Sequence, residues 1–292
     1  MQSSAELAVR RYRISTYLRK SGARVYLKIG GGIGNPMEEA RFLRSGKAKD
    51  LYQRPNGDIL FLFTNRVTAF DGLKKATYED KGAICCQLSC FWFEQLEAAG
   101  IRTHFKEYVP PNIMVAEEVQ ILPVEVIARN FLYGSLWKRY QKGEVQLSSK
   151  LMAQGELREG APLTRSYVEF TTKFERVDRP VTEQELLEQG WMTANELAQI
   201  KTEIIRVGEL MSTYLHQKGI ILVDYKLEFG KSAASGEILL ADEVGTPDVC
   251  RFWDREAYEQ RGEIQSLDKD VFRQAKGELT TVYREIYRRI LA

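Results

Sequence analysis

The chain has 292 residues, 44% hydrophobic and 28% charged, which suits one large globular domain or two lobes around a cleft and excludes a disordered chain. No apolar run approaches the roughly 20 residues that span a bilayer, and no secretory segment is present, so the body reads as a cytoplasmic protein with no membrane partner. The net charge of +2 is uneven: residues 1–36 hold seven of the 42 bases and one of the 40 acids, leaving 35 bases against 39 acids in the body and no basic stripe for nucleic acid.

Residues 1–40 form a basic extension, rich in Arg and Ser like an organelle transit peptide, and read as a disordered segment or as the product of a start codon upstream of Met37. "KIGGGIGNP" lacks the full G-x-G-x-x-G spacing, and Pro36 opposes a following helix, so it reads as a linker. "SGKAKDLYQRPNGDILFLFTNRVTAF" predicts two short strands around the turn "RPNGD", with Asn56 and Gly57 supplying left-handed conformations. "GAICCQLSCFWFEQLEAAG" predicts a helix ending at Gly100. Its cysteines are too few for a disulfide framework, and no nearby histidine completes a zinc site; they read as reduced core thiols.

"ILPVEVIARNFLYGS" predicts a strand breaking into a glycine turn, followed by a mostly helical block. Thr182 with Glu185, and Thr193 with Glu196, have capping-box spacing. The second pair opens an amphipathic helix through Leu197, Ile200, Ile204, Val207, Met211 and Leu215, closing at Gly219. "GIILVDYKLEFG" then reads as a strand, "GKSAASG" as a turn into "EILLADEV", and a closing helix runs from about Lys269 to Leu291. The fold class is α+β, with mostly antiparallel sheets and segregated helices.

The strand "GIILVDYKLEFG" places Asp224, Lys226 and Glu228 on one face, with apolar residues on the other. If Phe229 pairs with Glu237, Asp242 falls opposite Asp224 on the charged face. Buried carboxylates so gathered need pairing or a metal, and oxygen donors without imidazole or thiolate suit Mg2+ with substrate phosphates. The plain alternative is a structural ion-pair network on a solvated sheet face. Lys47 and Lys49 share a strand face beside Gly46, whose backbone can approach a phosphate. Arg129 at a strand end, Ser135 after a glycine turn, and Arg251 have the chemistry of a phosphate clamp. Metal, phosphates and cations together point to ATP-dependent phosphoryl transfer.

Taken together, "SGKAKDLY", "NRVTAFDG", "PVEVIARNFLYGSLWKRY", "ILVDYKLEFG", "LADEVGTPDVCRFW" and "LDKDVFR" resemble the phosphoribosylaminoimidazole-succinocarboxamide synthase (SAICAR synthetase) family, from about Arg44 to the end of the chain. The resemblance implies a two-lobed fold related to ATP-grasp, with a nucleotide-binding lobe over 41–123 and a lobe with metal and substrate sites over 124–292. It implies a carbon–nitrogen ligase of purine biosynthesis: ATP activates carboxyaminoimidazole ribotide as an acyl phosphate, and the amine of L-aspartate displaces phosphate. By position, Lys47, Lys49 and Asp71 match the nucleotide site, Glu228 and Asp242 the magnesium ligands, and Lys226 and Asp224 the catalytic centre. Arg129, Ser135, Lys173, Asp178, Asp248 and Arg251 match substrate-binding positions. Val177 stands where the family has histidine, and Val249 and Cys250 stand where it has serine before the arginine. These departures leave open a paralogous ligase with another substrate, or a nucleotide-binding protein without turnover. Assembly as a homo-oligomer is also left open.

Overall fold

The computed structural model describes residues 27–29, 32–34, 37, 39–69, 74–151, 157–175, 177–274 and 277–291. The chain divides after residue 38, and in the first unit β1 (Leu27–Ile29) pairs antiparallel with β2 (Gly32–Gly34). The stretch that reads as a linker is therefore paired, and Gly-Gly between the two runs is a dipeptide suited to a short hairpin. Most of the expected disordered extension over residues 1–40, including all of residues 1–26, lies outside the described residues.

Residues Glu39–Ala292 form a second compact unit. It begins with β3 (Arg41–Ser45), β4 (Lys49–Gln53), β5 (Ile59–Phe63), the ribbon β6 (Arg66–Ala69) and β7 (Lys74–Thr77), and helix α1 (Lys81–Ala98). Strands β8 (Phe105–Val109) and β9 (Ile113–Ala116) complete an antiparallel sheet in the order β3-β4-β5-β9-β8. The turn joining β4 to β5 has one left-handed residue, Gly57 at φ 90°, rather than two. Asn56 instead accepts a hydrogen bond from the Asp58 N–H through its side chain at 3.2 Å, which helps close the turn without a left-handed conformation at Asn56 itself. Helix α1 packs against this sheet, and its three cysteines are free and buried, as is Cys250.

The second sheet comprises β10 (Val119–Ile121), β11 (Val124–Leu132), β12 (Ala161–Thr172), β13 (Pro180–Val181), β14 (Ile220–Ser232), β15 (Ile238–Ala241) and β16 (Cys250–Asp254). Central to it is β14, thirteen residues long, paired by β11 and β10 along one edge and by β16 and β15 along the other. Helices α2 (Gly134–Gln141), α3 (Glu183–Glu188), α4 (Ala194–Gln217), α5 (Arg255–Arg261), α6 (Asp270–Gln274) and α7 (Leu279–Leu291) fill the remainder. Two expectations differ. The block that reads as helical contains β12, most of whose residues are half-buried, so a count of apolar residues shows no period there. The single closing helix is two, α6 and α7, with Gly277 at φ 118° between them.

Helix α4 opens on the expected capping box: Thr193 Oγ1 accepts from Glu196 N–H at 3.2 Å, and Glu196 accepts from Thr193 N–H at 2.7 Å. Its buried face, Leu197 to Leu215, lies on β14 and so backs the strand that carries the charged residues. Close approach is required at Gly208, where a Cβ would sit 1.8 Å from Tyr225 Oη, the hydroxyl that donates to Ile204 O at 2.9 Å. Gly208→Ala should lower the unfolding free energy by about 2 kcal/mol in urea titration, since overpacking and a lost buried hydrogen bond outweigh the helix-propensity gain of about 1 kcal/mol.

Between the sheets, His104 is buried against the rings of Phe61 and Phe93, and neither ring nitrogen has a hydrogen-bond partner. Burial dominates over the nearby Asp242 carboxylate and lowers its pKa to about 4. The unfolded chain takes up this proton near the ordinary 6.5, so the stability is present above that pH and lost as pH falls toward 4. Between about pH 7.5 and pH 5 the loss amounts to roughly 2 kcal/mol from this residue. His104→Phe should flatten the pH dependence of urea unfolding by about that amount.

Candidate active site

A cleft of about 310 Å3 opens between the β3–β4 turn, strand β14, and the segments that follow β12 and β15. Strand alternation sends Tyr225, Leu227 and Phe229 into the core, and Lys226 and Glu228 into the cleft wall. The expected register does not occur: Phe229 pairs with Leu240 and Glu228 with Ala241, because β14 continues to Ser232 before the chain turns. Asp242 therefore stands past the end of β15, not opposite Asp224. Its φ of 61° kinks the backbone, and its carboxylate meets Lys49 Nζ at 2.7 Å. Glu228 and Asp242 thus line the same cleft through strand termination rather than through pairing.

The cleft is dense with opposed charge. Lys49 also reaches Glu243 at 2.8 Å, Lys173 reaches Glu228 at 2.5 Å, and Lys226 reaches Glu125 at 2.6 Å and Glu228 at 3.5 Å. Burial alone would lower the Lys49 ammonium, but Asp242 and Glu243 outweigh it and hold its pKa above the usual range. Burial likewise opposes the charge on Lys226, and Glu228 with Glu125 reverses the effect. Asp242 is driven below the ordinary carboxylate range: burial would raise it, but Lys49 and Lys173 prevail. Glu228 moves upward, first through burial and then through the like charge of Asp242. Lys47 lines the cleft from the β3–β4 turn, exposed and outside the strand, so it does not share a strand face with Lys49. Asp178 lines the cleft as well, whereas Asp71 lies outside the described residues.

Arg129, Asp224 and Arg251 form a row across β11, β14 and β16, in direct register. Asp224 Oδ2 accepts from Arg129 at 3.1 Å and from Arg251 at 2.6 Å. Glu169 accepts from Arg129 Nε at 2.6 Å, Asp270 accepts from Arg251 Nε at 2.9 Å, and Arg129 donates to Ser135 Oγ at 3.0 Å. These residues stand beside the cleft rather than in its wall, so Asp224 does not converge with Glu228 and Asp242.

The last wall is the segment from Asp242 to Val249. Val244 N–H donates to Ser89 Oγ at 3.1 Å, and Thr246 donates to Glu243 at 2.7 Å. Gly245 is required here: at φ 68° its Cβ would lie 2.0 Å from Trp92 Cδ1, so α1 and this segment meet without a side chain between them. Asp248 is buried against Lys81 and accepts from Tyr283 at 2.9 Å; burial opposes its charge, but Lys81 and Lys269 hold it well below the usual carboxylate range. Val249 lines the cleft. Cys250 does not: it is opposite Tyr225 in the register and buried in the core, so its thiol cannot meet a phosphate held by Arg251.

The SAICAR synthetase family model matches residues 42–290. This chain belongs to the SAICAR synthetase family. The phosphoribosylaminoimidazole-succinocarboxamide synthase of Thermococcus sibiricus is 39% identical over 85% of this chain and 96% of its own, and that of Desulfitobacterium hafniense is 38% identical over 87% and 98%. A SAICAR synthetase solved in complex with ADP superposes with a TM-score of 0.74 at 39% identity, covering 85% of this chain and 96% of that one. The synthase of Ehrlichia chaffeensis gives 0.75 at 30% identity, over 86% and 98%. The α+β architecture and the family resemblance read from the sequence are those of these relatives.

Among the described residues, no group of three or more His, Cys, Asp or Glu side chains gathers as a ready metal cage. The donors present nonetheless fit Mg2+, which takes one or two carboxylates and completes its shell with phosphate oxygens and water. Glu228 and Asp242 supply hard oxygens in one cleft, and the repulsion that raises Glu228 is what a divalent ion relieves.

Several partners escape the sequence reading. Glu125 shares the β11 face of Arg129 by simple alternation, a signal that was available. Glu243, adjoining Asp242, and Lys269 in "LDKDVFR" also line the cleft, while Lys81 and Glu169 come from remote segments that no spacing connects. Removing the central charge of the arginine row should be costly: Asp224→Asn leaves the buried Arg129 and half-buried Arg251 guanidinium groups facing one another, with Glu169 and Asp270 as their remaining anions. Urea unfolding should fall by about 3 kcal/mol, and added inorganic phosphate should recover part of that loss.

Proposed function

We propose that the protein is an ATP-dependent carbon–nitrogen ligase of purine biosynthesis, joining the carboxylate of carboxyaminoimidazole ribotide to the amine of L-aspartate. Family membership over nearly the whole body supports the reaction, and one observation ties it to this chain: Lys49, Lys173, Lys226, Glu228 and Asp242 line a single cleft. A cytoplasmic setting belongs to the same proposal. It is supported by four free cysteines and by the absence, among described residues, of a helix long and apolar enough to cross a membrane.

In this reading Gly46, Lys47 and Lys49 receive the nucleotide phosphates. Glu228 and Asp242 would hold Mg2+, which would supply neutralisation of the phosphate charge. Lys226, held by Glu125 and Glu228, presents its ammonium where the reacting carboxylate and the transferred phosphoryl group meet. The carboxylate oxygen bonds to the γ-phosphorus as the bond to ADP breaks. The amine nitrogen then bonds to the activated carbonyl carbon, the carbon–oxygen bond to phosphate breaks, and phosphate leaves with that electron pair while the nitrogen sheds a proton. Arg129, Ser135 and Arg251 hold the ribotide phosphate, with Asp224 orienting both guanidinium groups. Lys173 and Asp178 face the substrates from the segment after β12.

Of the three departures from the family pattern, Val249 in the cleft wall and exposed Val177 favour a second reading, a ligase of the same chemistry with another acceptor. Purified protein with Mg-ATP, the carboxylated ribotide and L-aspartate should yield ADP and the amide in equal amounts. Glu228→Gln should lower that rate about a hundredfold or more. Product from a different amine alone would establish the second reading, and ATP binding without ADP under any acceptor would overturn both.

A further inference from the structure

The motif "LDKDVFR" brings Lys269 into the cleft wall, and none of the roles above uses it. Its setting is unusual in charge. Asp248 already has a buried ammonium partner in Lys81 and a hydrogen bond from Tyr283, and both sides of its carboxylate are engaged. Lys269 Nζ lies farther out, 3.5 Å from Asp248 Oδ1, so two lysines share one carboxylate and Lys269 has the longer contact. The groups facing Lys269 are Asp248 and Glu243 as acids and Lys81 and Arg273 as bases, and Arg273 is itself turned to Asp270 at 2.5 Å. Burial comes first in lowering the Lys269 pKa, and Arg273 and Lys81 add to it against Asp248, which marks an ammonium short of negative charge.

The other buried or half-buried cations near the reaction have closer anions. Lys49 holds Asp242 and Glu243, Lys173 holds Glu228, Lys226 holds Glu125 and Glu228, and Arg129 and Arg251 share Asp224. In the proposed reaction the nucleotide phosphates, the ribotide phosphate and the reacting carboxylate likewise have receivers. The negative groups without one are the carboxylates of the amine acceptor.

We propose that Lys269 binds a carboxylate of the amine acceptor, with the Lys81–Asp248–Tyr283 cluster fixing its position at the cleft wall. The inference rests on the ligase reading and narrows it, since it assigns the acceptor to the side of the cleft formed by Asp248, Val249 and Lys269. An acceptor so held must carry an anionic group besides its amine.

Steady-state kinetics on the full chain test this with Mg-ATP, the carboxylated ribotide and L-aspartate. Lys269→Met should raise the KM for L-aspartate roughly ten- to a hundredfold, the range of one charge-assisted hydrogen bond. The KM values for ATP and ribotide should change less than about twofold, and kcat far less than the aspartate KM. Lys269→Arg should recover part of the aspartate affinity by restoring the charge. Asp248 retains Lys81 and Tyr283 in both variants, and a thermal melt reports whether the fold persists. An unchanged aspartate KM in folded Lys269→Met overturns the assignment alone, as does an equal rise in all three KM values. A wild-type protein that makes no amide overturns the ligase reading and this inference with it.

Discussion

Strand β14 must bury charge of alternating sign beside an apolar core, and much of the molecule is arranged around that constraint. An ionised side chain taken out of water is tolerated when an opposite charge meets it with good geometry. Asp224 has guanidinium groups on both neighbouring strands, Lys226 has Glu125 from β11, and Glu228 has Lys173 from the segment after β12. Each partner comes from a different part of the chain, so the charged row closes only when the whole second sheet has formed. The same pairing prepares the cleft for ligands: every internal ion pair there can be exchanged for a contact with phosphate, carboxylate or metal at little cost in uncompensated charge.

The backing of the strand matters as much as its charged face. Helix α4 presses Leu197 to Leu215 onto it, at a distance that requires Gly208 opposite Tyr225. Helix α1 does the equivalent for the segment from Asp242 to Asp248, through Ser89, Trp92 and Lys81. Two helices far apart in sequence thus set the two carboxylates, Glu228 and Asp242, that face each other in the cleft. Preorganisation of this kind suits a reaction in which positioning and neutralisation do most of the chemistry.

Period-two alternation made the charged face of β14 legible, and capping spacing located α4 before any coordinates. Register was not legible, because the length of β14 is set by pairing with β10 and β15, and no local signal marks Ser232 as its end. The kink at Asp242 was equally hidden: a non-glycine residue at φ 61° is held by its contacts with Lys49, and nothing in "LADEV" announces it. Strand β12 is hidden for a different reason, since only Phe170 and Thr172 of its residues are buried and no apolar period marks it. Ion pairs such as Lys81–Asp248 join segments more than a hundred residues apart, where only the folded topology brings them together.

The departures from the family pattern look adjacent in sequence but act on different parts of the structure. Arg251 faces Asp224, so its strand neighbour Cys250 must point to the opposite side, where it packs beside Tyr225 in the core. A thiol there is a packing matter and leaves the Arg129–Asp224–Arg251 row untouched. Val249 precedes β16, so alternation does not govern it, and its side chain lines the cleft next to Asp248. Its methyl groups offer no hydrogen bond on the side of the cleft that Lys269 also lines. Among the residues from Val249 to Arg251, Val249 alone lines the cleft, beside the Lys49, Lys226, Glu228 and Asp242 on which the proposed phosphoryl transfer rests.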